Sequence, residues 1–261
     1  MNINLNGFTA FVTGSSSGMG FEMAKELLSH GATVVIAARA GAKLDNAYEK
    51  LAKEGYDVHA VALDVRDENS VNAAATWFGE HFDHLNMLIN NAGIGNNAPG
   101  MELGLQLYDI PVSTFNAIVE TNFTGYFLVS RAFIPIMVRN GKGKVVNVST
   151  STSTMVRKGM IPYGPSRAAA ETMSQILSED LRDLGIMVNV ICPGGVTDTG
   201  MTTDAMRDLF SQHNIPILKA DVMNKPVLFL ASSYADGLTG EKIVGNEFDE
   251  WLKNRNISFP D

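Results

Sequence analysis

Thr13-Gly14-Ser15-Ser16-Ser17-Gly18-Met19-Gly20 lies between an apolar, β-branched run at residues 8–12 and an amphipathic helical pattern at residues 21–30. A glycine-rich turn in that position is where an α/β protein holds a dinucleotide. Gly14 lets the chain leave the strand in a tight turn, and Gly18 and Gly20 remove side chains that would keep backbone and helix start away from a pyrophosphate. Exposed N–H groups and the helix dipole then favour the anion, with Ser16, Ser17 and Met19 as further contacts. The spacing is Gly-x-x-x-Gly-x-Gly, not the common Gly-x-Gly-x-x-Gly. Alone, the loop suits an ordinary strand-to-helix turn equally well.

The 261 residues, 45% of them hydrophobic and 18% charged, suit one large domain spanning residues 1–261 better than two small ones. A net charge of −8 argues against a nucleic-acid surface, which needs a concentrated basic face. The one cysteine, Cys192, sits in an apolar run and reads as a small buried hydrophobe. With neither a leader pattern at residues 1–7 nor an apolar run approaching the ~20 residues of a membrane span, a soluble, cytoplasmic chain without a membrane partner is expected. No metal ligand is assigned.

Short β-branched runs recur at residues 8–12, 33–38, 58–63, 87–89, 144–148 and 187–192, separated by helical patterns. The alternation predicts a doubly wound parallel sheet, Rossmann-like, with helices on both faces. Asp67 is placed to cap the third helix, Ser113 or Thr114 to start a long one reaching Asn140 despite Pro135, and Gly185 to end another from Tyr163 to Leu184. Residues 93–111 and 197–219 break the rhythm. As loops at the carboxyl ends of strands they read either as substrate walls or as excursions packed on the core.

Tyr163 and Arg167 lie four residues apart at the start of a predicted helix and so project from one face. A phenol with a free pKa of about 10 needs a nearby cation to serve in acid–base work near neutrality. Thirteen residues upstream, Thr150 offers a hydroxyl at the end of a strand. Taken by itself, such a Tyr/Arg pair also occurs as a structural contact.

The ordered set Thr13-Gly14-x-x-x-Gly18-x-Gly20, Asn90-Asn91-Ala92-Gly93, Asn122 in Thr121-Asn122-Phe123-Thr124-Gly125, Asn147-Val148-Ser149-Thr150, Tyr163 and Pro193-Gly194 resembles the short-chain dehydrogenase/reductase family from end to end. The resemblance implies that Tyr163 exchanges a proton with a substrate carbonyl or alcohol, and that Asn122 holds a water and shapes the site. The serine that polarises the substrate oxygen falls on Thr150, with Ser151 as a substitute. The family's lysine falls on Arg167, which keeps the charge but not the shape or the proton relay of lysine. The expected function is therefore hydride transfer between a nicotinamide and a carbonyl or secondary alcohol. The alternative is a catalytically impaired NADP(H)-binding sensor or assembly protein.

By the same resemblance, the acid that NAD-preferring relatives place after the second strand is replaced by Ala38, followed by Arg39. An arginine there can grip a 2′-phosphate, so NADP(H) is preferred with NAD(H) as the alternative; Lys43 adds a second charge. Asp64 and Val65 fall at adenine-contacting positions, Asn91, Ala92 and Gly93 lie along the cofactor, and Pro193, Gly194, Val196 and Thr199, with Thr197 competing, approach the carboxamide. Met155, Met160, Met201, Met206 and Phe210 are candidates for an adaptable apolar wall, and Arg157 with Lys158 for a carboxylate site or a wet loop. The family habit implies a homo-dimer or homo-tetramer built on the helices at 114–140 and 163–184.

Overall fold

The computed structural model describes residues 3–95, 97–102 and 104–260. β1 (Thr9–Thr13) leads into α1 (Gly18–Ser29), β2 (Thr33–Ala38) into α2 (Ala42–Lys53) and β3 (Val58–Ala62) into α3 (Glu68–His81). β4 (Met87–Asn90) is followed by a long excursion, then α4 (Val112–Val119) and α5 (Gly125–Asn140). Next come β5 (Gly143–Val148), the single turn α6 (Thr152–Met155), α7 (Tyr163–Asp180) and β6 (Ile186–Cys192). α8 (Asp204–Gln212), α9 (Asn224–Ala231), β7 (Lys242–Val244) and α10 (Phe248–Asn254) complete the order.

The strands form one parallel sheet in the order β3-β2-β1-β4-β5-β6-β7. From β1 the chain winds outward in one direction, and from β4 in the other. The crevice above the carboxyl ends of β1 and β4 is therefore open to a ligand. Six of these strands lie where the sequence places them, within a residue at each end. β7 was not foreseen, because three residues give no usable periodicity.

Successive strand residues face opposite sides, so the sheet carries two cores. On one, Val12, Ile36, Ile89 and Ile191 meet Met23 and Leu27 of α1 and Val227 and Phe229 of α9. On the other, Phe11, Val35, Leu88 and Val188 meet Phe78 of α3 and Phe133 of α5. Phe11 is the hub of the second layer, its ring 4.3 Å from that of Phe133 and 6.0 Å from that of Phe78. Truncating such a ring to alanine costs about 3–5 kcal/mol.

Asp67 caps α3 as expected, its side chain accepting from the Asn69 N–H at 2.9 Å. The long helix differs from expectation. It starts at Val112 after Pro111, and Thr114 instead donates to the Pro99 carbonyl at 2.7 Å, tying down the excursion. Its regular pattern breaks at Glu120–Thr124, a π-helical turn, while Pro135 is carried inside α5. Just after this turn Gly125 packs so closely on Val65 that a β-carbon would lie 2.8 Å from Cγ2, and within the turn Asn122 faces the interior. The last predicted helix ends at Asp180, with a 3-10 turn at Arg182–Leu184 before Gly185.

Candidate active site

The loop after β1 is locked to the turn after β4. Thr13 Oγ1 accepts from the N–H groups of Asn91 (3.0 Å) and Ala92 (3.1 Å), and Asn91 Nδ2 donates to the carbonyls of Thr13 (2.9 Å) and Gly14 (3.0 Å). Gly14 has φ +65°, and a β-carbon there would lie 2.6 Å from Ala92 Cα; Gly18 has φ +60° and faces Thr199. The backbone clash excludes a side chain at Gly14, and the left-handed conformation favours glycine at both positions. The space at Gly20 is taken by Asn91 Nδ2 and the Gly14 carbonyl, so this glycine serves loop packing, not only ligand approach. At the start of α1, Ser17 makes no side-chain cap and the first turn holds no acid, which leaves its N–H groups for an anion.

A cleft of about 900 Å³ runs across the carboxyl ends of the strands from this loop. Ser16, Ser17, Met19, Arg39, Asp64, Val65, Asn91, Ala92, Gly93, Pro193, Val196 and Thr199 line it together with Gly14, Gly18 and Gly20, and so do Thr150, Tyr163 and Arg167. At one end Arg39 and Lys43 are joined by Arg66, which the sequence reading did not single out. Arg66 grips Asp64 with two bonds, Nε to Oδ1 at 2.9 Å and Nη2 to Oδ2 at 2.6 Å. Those bonds, helped by the charge of Arg39 and opposed by burial, hold the Asp64 carboxyl below the usual carboxylate range. At the other end Met160, Met201, Met206 and Phe210 form an apolar wall with Arg157 beside it. Residues from both irregular segments thus face the cleft.

Arg167 lies on α7 one turn beyond Tyr163 and is 2% exposed. Its Nη1 donates to Tyr126 Oη at 2.7 Å and to the Val148 carbonyl at 2.9 Å, and Tyr126 Oη itself donates to Val148 at 3.0 Å. The guanidinium carbon is 5.4 Å from the Tyr163 ring centre and 5.5 Å from that of Tyr126. Burial disfavours the charge on Arg167, but electrostatic attraction to the phenol oxygens of Tyr126 and Tyr163 and hydrogen bonding with them more than reverse this, and its pKa is raised. Arg167 is therefore a permanent cation. Burial pushes the Tyr126 phenol up, against the pull of Arg167, so Tyr126 stays a neutral donor and acceptor.

Of the residues expected at the site, Asn122, Ser151, Gly194, Met155 and Lys158 are not among those that line the cleft. Asn122 is fully buried behind the cleft wall, and protein groups occupy its side chain: Nδ2 donates to the Ile94 carbonyl (2.9 Å) and Ser166 Oγ (3.1 Å), while Oδ1 accepts from the Ile94 N–H (2.9 Å). It binds the β4 turn to the start of α7 and does not present its amide to the cleft. Ser151 caps α6, accepting from Thr154, and Gly194 turns away with φ +89° against Asn246. Ser149 and Tyr126 were missed. Ser149 lines the cleft and donates to Glu171 at 2.5 Å, and Glu171 pairs with Lys242 at 2.7 Å. Such contacts join distant elements and leave no spacing signal.

The sequence profile of the family described as short chain dehydrogenase matches residues 8–209. The chain belongs to this family. The 2,5-dichloro-2,5-cyclohexadiene-1,4-diol dehydrogenase of Sphingobium indicum is 33% identical to this short-chain dehydrogenase over 242 residues, 90% of this chain and 93% of the relative. The 3-oxoacyl-[acyl-carrier-protein] reductase of Aquifex aeolicus is 29% identical over 252 residues, 94% and 98% of the two chains. The crystal structure of a gluconate 5-dehydrogenase from Burkholderia cenocepacia in complex with NADP and tartrate superposes with a TM-score of 0.80 at 25% identity, covering 95% of this chain and 98% of that one. This short-chain dehydrogenase is accordingly an NAD(P)-binding oxidoreductase with a Rossmann-like fold. The glycine cradle and the uncapped α1 start fit such a cofactor. Among the described residues no helix is long and apolar enough to cross a membrane.

Proposed function

We propose that this short-chain dehydrogenase is an NADP(H)-dependent enzyme interconverting a carbonyl compound and its alcohol, with Tyr163 as the acid–base group. The observation that carries this reading is that Tyr163, Arg167 and Thr150 all line one cleft, with the Arg167 guanidinium 5.4 Å from the Tyr163 ring centre. When bound, the nicotinamide supplies or accepts hydride. Tyr163 Oη gives its proton to the substrate oxygen in reduction and takes one back in oxidation. Thr150 Oγ1, in the place of the family's serine, hydrogen-bonds the same oxygen. Arg167, in the place of the family's lysine, sets a fixed positive charge 5.4 Å from the Tyr163 ring centre and, being permanently charged, passes no proton on.

The cationic rim of Arg39, Lys43 and Arg66 suits a 2′-phosphate and favours NADP(H), in keeping with the NADP in the gluconate dehydrogenase complex. The methionine-rich wall suits a substrate with an apolar portion, flanked by Gly93, Ile94, Gly95, Asn97 and Pro99 of one irregular segment and by Thr197, Thr199 and Thr202 of the other. Exposed Phe127 on α5 and Ile176 on α7 support assembly as a homo-dimer or homo-tetramer through those helices. One observation favours a second reading, a cofactor-binding protein with weak turnover: the Arg167 fork is tied to Tyr126 and Val148 inside the protein.

A panel of ketones and secondary alcohols followed by nicotinamide absorbance decides between them. Turnover by the native chain that is lost in Tyr163→Phe supports the enzyme. Cofactor binding without turnover, restored by Arg167→Lys, supports the second reading.

A further inference from the structure

Tyr126 opens α5 and is 1% exposed, enclosed behind the wall that carries Thr150 and Tyr163. Its hydroxyl, Arg167 Nη1 and the Val148 carbonyl close a triangle with sides of 2.7, 2.9 and 3.0 Å, two residues before Thr150. A buried guanidinium needs acceptors for its protons, because a charged donor left without one bears the full cost of desolvation. Arg167 Nε has no hydrogen-bond partner among the described residues, so the bonds at Nη1 weigh more in fixing the fork. The same cation is at nearly equal distances from the Tyr126 and Tyr163 rings. Movement of the guanidinium away from Tyr126 therefore also changes its placement against Tyr163.

We propose that Tyr126 is a positioning residue whose hydroxyl holds the Arg167 guanidinium in register with the Tyr163 phenol. The proposal rests on the function given above. It also explains how the wider arginine is accommodated: Tyr126 and Arg167 act as one unit, with the fork received by a hydroxyl at its far end. A lysine ammonium has no planar fork to orient, so it makes no comparable demand.

The test compares Tyr126→Phe and Arg167→Lys singly and together. The first readout needs no turnover: side-chain NMR of the arginine Nη protons, with those of Arg167 assigned by their loss in Arg167→Lys. The native chain is expected to show restrained, slowly exchanging Nη protons, which Tyr126→Phe averages or broadens. In activity, Tyr126→Phe is expected to lower kcat about tenfold or more, the scale of a displacement under 1 Å, with KM changed by less than about threefold. In the Arg167→Lys background the same change is expected to cost less than about twofold, since residues acting as a unit are not additive.

Unchanged Nη signals in Tyr126→Phe, or an equal loss in both backgrounds, overturns the proposal. If Tyr126→Phe does not fold but the double variant does, the hydroxyl is needed to satisfy Arg167 and the proposal stands. If neither folds, the hydroxyl serves the core at large and the proposal fails. If the native chain turns over no carbonyl compound, the functional reading fails, while the NMR arm still decides whether Tyr126 fixes Arg167.

Discussion

Gly93 lies against Arg167 so closely that a β-carbon on it would overlap Nη2 and stand 3.2 Å from both Cζ and Asn122 Oδ1. The turn after β4 and the cation beside Tyr163 thus fix each other. Gly93→Ala forces one of them to move. The expected outcome is a loss of kcat of up to about a hundredfold, the scale set by a 1 Å misplacement of a catalytic group. Steady-state kinetics check this, and native turnover in the alanine variant contradicts it.

Arg39 is exposed at the cleft rim and helps depress the Asp64 carboxyl. Arg39→Asp replaces an anion grip with an anion. Charge-assisted hydrogen bonds contribute about 1.5–3 kcal/mol, so the NADP/NAD affinity ratio is expected to fall at least about tenfold. Titrating both cofactors by fluorescence measures it, and an unchanged ratio removes the NADP assignment.

Most of the fold was legible because the deciding signals are local. The strand runs and the Asp67 cap each sit within a few residues of sequence, and backbone geometry acts on that scale. The site was legible where a turn requires glycine or where a helix puts Tyr163 and Arg167 on one face. It was not legible where side chains meet across the fold. Tyr126 reaches Arg167 across 41 residues, and Asn122 reaches Ser166 across 44. β7 is too short to show a period, and the π turn at Glu120–Thr124 interrupts a pattern whose spacing reads as one continuous helix.

Asn122 makes three hydrogen bonds in the interior, two to Ile94 and one to Ser166. Asn122→Ala leaves those groups unsatisfied, at a net cost of about 2–4 kcal/mol. Denaturant melts give the value, and a loss under about 1 kcal/mol shows that the bonds do not carry the turn.

Burial pushes the Cys192 thiol up from 9.0 to about 11. Between those values the unfolded thiol loses its proton first, so the unfolded state binds fewer protons and stability falls as pH rises. The shift corresponds to about 2–3 kcal/mol lost across that window. In Cys192→Ala this contribution is absent. Stability curves of the two proteins from pH 8 to 11, expressed as a difference, are expected to converge; parallel curves contradict the buried-thiol account.

The role of Tyr163 is tested most directly by single-turnover reduction of a carbonyl substrate with saturating NADPH, comparing the native chain with Tyr163→Phe. The account predicts that the variant binds the cofactor as the native chain does and loses about 10²–10⁴-fold in the chemical step, the range of a positioned acid–base group. Equal rates in the two proteins would contradict it.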